Sequence, residues 1–252
     1  MTMIRAVVFD MDGVLIDAKE WHYEALNLAL AGFGLSIGRE EHLAHYDGLP
    51  TRTKLERLTR CAGLPRSAHD EVARLKQLHT VELVRARCAP RADHLALVTG
   101  LAALGYPTAV ASNSVRESVD LMLGLAGLLP HLAFTLSSSD VVAPKPHPAV
   151  YLEAVRRLAL RPQEVLVVED NENGIAAARA AGTHVLVVRT VDDVNLPAVL
   201  SRIALLDGSG RSSRALPALP TQRPHGAART SPSVPGPAVA AALPSERTPV
   251  RA

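Results

Sequence analysis

The sequence predicts an α/β fold: a doubly wound parallel sheet with a small helical domain inserted after its first strand. Three observations predict it. Short apolar runs alternate with helix-like segments, the rhythm of a parallel sheet with helices on both faces. Polar and acidic clusters follow those runs, as they do where strands end at a ligand crevice. From about residue 17 to 87 the rhythm stops, and only helical spacing remains.

Strands are expected at 4–9, 107–112, 134–137, 165–168 and 184–188, where Val, Ile, Leu and Phe run together without polar alternation. Helices are expected at 92–104, ending at Gly105; at 115–125, after a serine-rich turn; at 149–160, just after Pro148; and at 175–181, ending at Gly182. Within the insertion, Leu55, Leu58 and Ala62 keep helical spacing. So do Val72, Leu75, Leu78 and Glu82, with Leu83 beside the last, and about four helices are expected there. The expected division is a core of residues 1–16 and 88–207, a helical cap at 17–87 and a disordered tail at 208–252.

Composition bounds the function. Apolar residues make up 48% of the 252, enough for a real core, but aromatics only 3%, so Val, Leu and Ala must fill it. The net charge of +2 is too small for a general nucleic-acid binder. Six arginines and one glutamate give the Pro/Ala/Arg-rich tail +5, which leaves −3 on residues 1–207. Cys61 and Cys88 fit no metal spacing and are expected to be reduced, in keeping with a cytoplasmic protein. No apolar run has the ~18 residues of a membrane span, and the N-terminus has no signal-peptide pattern. A monomer acting on a small phosphorylated metabolite is expected, with no nucleic-acid or membrane partner.

Four clusters carry the chemistry. DMDG places Asp10 and Asp12 two residues apart past the first strand, so extended backbone would project both carboxylates the same way. Two hard oxygen donors suit Mg²⁺, and Gly13 lets the chain turn away. A polar turn explains one aspartate but not the second. VASNS offers Ser112, with Asn113 following, before a helix start that can hold phosphate; Ser and Asn are also ordinary at helix starts. APKPHP stiffens the loop of Lys145 with prolines. VLVVEDNENG ends a strand in Glu169, Asp170 and Glu172, closing on Gly174. Two acid-tipped strands in one parallel sheet suggest a shared cation.

DMDGVLID, SNS, KPHP and VVEDNENG resemble the four motifs of the haloacid dehalogenase superfamily of phosphohydrolases, and most closely its β-phosphoglucomutase-like phosphatase group. The resemblance spans residues 4 to about 200 and implies a Rossmann-like core with a small helical cap. It implies that Asp10 is the nucleophile, that Asp12 is the general acid and base, and that Ser112 and Lys145 hold the phosphoryl oxygens. It implies that Mg²⁺ is bound by Asp10, the Asp12 backbone carbonyl and Asp170, with Glu169 nearby. Asp17 has no catalytic role to take over and is expected to fix the loop. Trp21 and His22 fall on the first cap helix, and YDGLPTR at 46–52 resembles the substrate-facing loop, which makes His22, Gly48, Arg52 and Asn113 substrate-binding candidates. Arg52 and Lys54 could bind a second anionic group or be ordinary surface charges.

The activity these motifs imply is Mg²⁺-dependent hydrolysis of a small phosphomonoester through an aspartyl-phosphate; the alternative is a sugar-phosphate mutase of the β-phosphoglucomutase type. Mutases of the group typically carry Thr or Ser where this chain has Ala18. Their cap loop usually has Lys before the glycine and Arg three residues after it, whereas Asp47 and Thr51 stand here. A receiver-like signalling module is disfavoured because its phosphorylated aspartate follows the third strand. A dinucleotide-binding fold is disfavoured because no GxGxxG follows the first.

Overall fold

The computed structural model describes residues 3–208. Its five strands are β1 (Ala6–Phe9), β2 (Thr108–Ala111), β3 (Phe134–Leu136), β4 (Val165–Glu169) and β5 (His184–Val187). They form one sheet in the order β3-β2-β1-β4-β5, with every neighbouring pair parallel. Each lies within an expected run, except that β4 extends one residue further to include Glu169. Val8 is in register with Ala109 on one side and Val167 on the other. Strands β1, β2 and β4 are buried along their whole length, which is why they read as continuous apolar runs.

Helices α1 (Lys19–Ala31), α2 (Arg39–His45), α3 (Thr51–Ala62) and α4 (His69–Arg87) fill the stretch between β1 and the next core helix. They pack around an apolar cluster of their own, which includes Leu26, Leu30, Tyr46, Leu55, Leu58, Leu64 and Val72. Helix α4 corrects one expectation. Leu78 is 48% exposed, and the buried stripe of the helix runs Val72, Lys76, Thr80, Val84, one residue every turn.

The sheet is covered on both faces. Alternate side chains Val7, Phe9, Val110, Leu166 and Val168 belong to a cluster with α5 (Ala92–Ala103), α6 (Arg116–Leu125) and the C-terminal part of the described chain. Val8, Ala109, Ala111, Val165 and Val167 pack instead with α7 (Ala149–Arg157) and α8 (Glu172–Ala180). The last helix, α9 (Leu196–Gly208), supplies Val199 and Ile203 to the first of these clusters and was not anticipated. Helix α7 stops before residue 160, and Ala159 takes the left-handed φ of 55° just after it. Helix α8 starts three residues early because Asn171 caps it, its side chain accepting from the Asn173 N–H. The expected tail lies outside the described residues, apart from Gly208. Among the described residues, no helix is long and apolar enough to cross a membrane.

Candidate active site

The carboxyl ends of the central strands meet at a cavity of about 260 Å³. Asp10 and Asp12 reach it from the end of β1, Ser112 and Asn113 from the end of β2, Lys145 from the loop after β3, and Glu169 from the end of β4. The insertion covers the opposite wall with Lys19, His22, residues 47–52, Lys54 and Lys76. Asp10 is held in line with the sheet: its backbone N–H donates to the Val168 carbonyl at 2.9 Å. The chain then turns at once, with Gly13 at φ 89°. A Cβ there would stand 2.2 Å from Asp170 Oδ2 and 2.5 Å from Lys19 Cε, so only glycine lets these two groups meet.

Two ammonium groups neutralise the acids. Lys145 Nζ, 3% exposed, donates to Asp10 Oδ1 at 2.5 Å and to Glu169 Oε1 at 2.6 Å. Lys19 Nζ lies 2.5 Å from Asp170 Oδ2. Glu169 is saturated: Tyr151 also donates to Oε1 at 2.7 Å, and the Asp170 and Asn171 N–H groups donate to Oε2 at 3.0 and 3.2 Å. Asp170 is not, since its buried Oδ1 has no hydrogen-bond partner. Oxygens of Asp10, Glu169 and Asp170 lie within 4.8 Å of one another, so this acidic cluster could bind a metal ion.

Asp12 has a different environment. It accepts from Ser114 Oγ at 2.7 Å, pairs with His22 Nε2 at 3.1 Å, and has Ser112 Oγ at 3.5 Å. Burial works against its ionisation, but His22, Ser114 and Lys76 together hold its carboxyl below the usual range. Burial pushes Asp10 well above that range. Lys145 opposes this shift, and Glu169, Asp170 and Asp12 add to it. Burial also raises Asp170, to about 6, against the pull of Lys19. Lys145 loses solvation too, yet Asp10 and Glu169 keep its pKa above the ordinary lysine value. Two carboxylates two residues apart thus stand in different surroundings, Asp10 against the Lys145 ammonium and Asp12 on an imidazole and a hydroxyl.

Asn113 ties three segments together. Its Oδ1 accepts from the Lys145 N–H at 2.9 Å, and its Nδ2 donates to the carbonyls of Lys145 at 3.3 Å and Gly48 at 3.2 Å. Gly48 takes φ 69° and sits so close to Asn171 that a Cβ would fall 2.5 Å from its amide. Arg52 is exposed on the rim of the cavity. Asp17 and Glu172 are exposed and outside it. Sequence reasoning missed Ser114, Lys19, Tyr151 and Lys76. Of these, only Ser114 left a local signal, as the second serine of SNS two residues past Ser112.

The fold and this site define an α/β enzyme with a carboxylate centre at the edge of a parallel sheet. The model of the haloacid dehalogenase-like hydrolases matches residues 4–182, and the chain belongs to that family. It is 32% identical over 184 residues to a phosphoglycolate phosphatase of Yersinia pseudotuberculosis, covering 71% of this chain and 78% of that protein. It resembles the crystal structure of a CbbY mutant from Rhodobacter sphaeroides in complex with xylulose-(1,5)bisphosphate, at a TM-score of 0.66 and 26% identity over 73% of this chain and 86% of that one. A β-phosphoglucomutase from Clostridium difficile shares the fold at a TM-score of 0.71, with 20% identity over 81% of this chain and 98% of that one.

Proposed function

We propose that this chain is a magnesium-dependent phosphatase that hydrolyses a small phosphomonoester through an aspartyl-phosphate on Asp10. The observation that carries the reading is the placement of the two carboxylates. Asp10 is buried against Lys145, while Asp12 faces the cavity on a histidine and a serine. The Asp10 carboxylate attacks phosphorus, and the bond to the ester oxygen breaks as Asp12 gives that oxygen a proton. Asp12 then takes a proton from water, whose oxygen attacks phosphorus and frees Asp10. Ser112 and Lys145 hold the phosphoryl oxygens, and Glu169 positions Lys145 through the 2.6 Å contact.

Asp10, Asp170 and the Asp12 backbone carbonyl would hold magnesium, with Glu169 beside them. The donor set fits, because it is all hard oxygen and the buried Asp170 Oδ1 lacks any other partner. The bound ion supplies positive charge between the carboxylates and the phosphate. Residues 17–87 act as a cap that shuts the cavity and selects the leaving group. The unpaired Cys61 and Cys88 suit a reducing cytoplasm.

The test is phosphate release with Mg²⁺ from a panel of phosphomonoesters that includes phosphoglycolate and xylulose 1,5-bisphosphate. Wild type should release phosphate, and Asp10→Asn should release none while melting at the same temperature. Retained turnover in Asp10→Asn would remove the nucleophile assignment. With β-glucose 1-phosphate and its bisphosphate primer, glucose 6-phosphate outpacing free phosphate would point to the mutase instead.

A further inference from the structure

A single helix turn of the insertion brings two basic groups to the acids of the sheet. Lys19 and His22 stand three residues apart in the first turn of α1, so both project from one face. His22 meets Asp12 at 3.1 Å, and Lys19 Nζ lies 2.5 Å from Asp170 Oδ2. The turn is fixed from behind: Ala18 is buried, and its carbonyl accepts from the His22 N–H at 2.9 Å. Gly13 leaves the gap through which the Lys19 stem passes, since a Cβ there would stand 2.5 Å from Lys19 Cε.

The two ammonium groups of the acidic cluster are held differently. Lys145 donates to Asp10 and Glu169 together and stands 4.8 Å from the centre of the Tyr151 ring. Leaving that place would cost it two charged hydrogen bonds. Lys19 has one carboxylate, and its side chain is 28% exposed. Asp47, which lines the same cavity, also attracts it and is in no ion pair among the described residues. Lys19 is therefore the ammonium that can let go, with water and Asp47 to receive it. Lys54 and Lys76, the other cavity lysines, are buried without an ion pair to any described carboxylate, so neither takes part. Asp170 itself has room for a second cation. Its side chain is buried, Oδ2 carries Lys19, and Oδ1 has no hydrogen-bond partner. A divalent ion on this carboxylate would lie beside the ammonium, because both oxygens share one carbon. Like charges that close repel strongly where little water screens them.

We propose that Lys19 is an exchangeable counter-ion: it competes with a divalent cation for the Asp170 carboxylate, and binding of the cation frees Lys19 and the first turn of α1 from Asp170. The inference rests on the magnesium-dependent phosphatase reading and adds to it that the insertion sets the cation affinity. Lys19 lowers that affinity, and it keeps the buried carboxylate neutralised whenever the cation leaves.

The test is calorimetric titration of Mg²⁺ into the full chain after EDTA treatment and desalting, at about pH 8, where carboxylates are ionised. Lys19→Met should bind Mg²⁺ about 10- to 100-fold more tightly than wild type, the range of one charge-assisted hydrogen bond. Lys19→Arg, which keeps the charge, should stay near wild type. In EDTA, Lys19→Met should melt below wild type, and Mg²⁺ should raise its melting temperature by more than it raises that of wild type. Lys19→Gln removes the charge but keeps a polar end, and it should show the same tightening if the methionine variant fails to fold. Unchanged or weaker Mg²⁺ affinity in a folded neutral variant would overturn the competition, even if that variant melted lower, because a lysine that only braces the fold lowers melting without moving affinity. If neither wild type nor any variant gave binding heat or a melting shift with Mg²⁺, the magnesium reading itself would fall, and the competition with it.

Discussion

Substituting Gly174 by alanine should damage the site more than any other single methyl group. Gly174 lies in the first turn of α8, directly over Glu169. An added Cβ would stand 1.6 Å from Glu169 Oε1 and 2.0 Å from its carboxyl carbon. To regain ordinary van der Waals contact, the carboxylate has to retreat by more than about 1.5 Å. It cannot do so and keep Lys145 at 2.6 Å and Tyr151 at 2.7 Å. Losing two buried bonds to a charged group costs about 1.5–3 kcal/mol each, so about 3–6 kcal/mol in total. For a domain of this size that lowers the melting temperature by roughly 6–24 °C. Lys145 also loses the group that aims it at Asp10, and misplacement of about 1 Å costs on the order of 100-fold in rate. Differential scanning calorimetry and phosphate release measure the two effects. An alanine variant with wild-type melting and more than half the wild-type rate would show that Glu169 does not organise Lys145.

Three further perturbations test other parts of the site. Chelation by EDTA should abolish phosphate release and Mg²⁺ should restore it, while Asp170→Ala should raise the Mg²⁺ needed for half-maximal rate at least about tenfold; full activity after metal stripping contradicts the acidic site. Lys54→Met should melt above wild type at pH 7. The folded protein lowers Lys54 from 10.5 to about 8 and so binds fewer protons than the unfolded chain, and stability is full above the unfolded value and lost as pH falls through about 8. The gap, of order 3 kcal/mol at pH 7, should close near pH 10.5, and a pH-independent gap would count against a buried ammonium. Gly48→Ala should raise KM several-fold with little change in melting, because its Cβ would press on Asn171 and its φ of 69° suits only glycine; an unchanged KM means the 47–52 loop does not shape the substrate site.

The five strands and the helices over them were legible because a sheet buried on both faces leaves unbroken apolar runs, and Gly105 and Gly182 mark where helices stop. The site was legible where its residues follow strands: Asp10, Ser112, Lys145 and Glu169 each sit at a sequence boundary between apolar and polar. Lys19, Lys54 and Lys76 were not, or not as a group. Each lies on a helix of mixed apolar and polar residues, and only tertiary packing turns the face that carries the lysine inward. On α4 the leucines at 75, 78 and 83 suggested one stripe, but the buried face is the one with Lys76 and Thr80, and Leu78 is left in water. Helix α9 was missed because 196–208 runs straight into a stretch of different composition that masked its end.

The strand order has a consequence for where motion is tolerated. Asp10 extends the middle strand of five, and its amide is bonded to β4. Opening that backbone requires the sheet itself to come apart, so amide hydrogens along β1 should exchange only with global unfolding. The 47–52 loop touches the sheet side through single contacts, one of them the 3.2 Å bond from Asn113 to the Gly48 carbonyl. Its amides can exchange by local opening alone. The proposed nucleophile and the loop proposed to select the substrate thus occupy opposite ends of the molecule's stability scale, so that opening of the loop would admit a substrate without loosening Asp10.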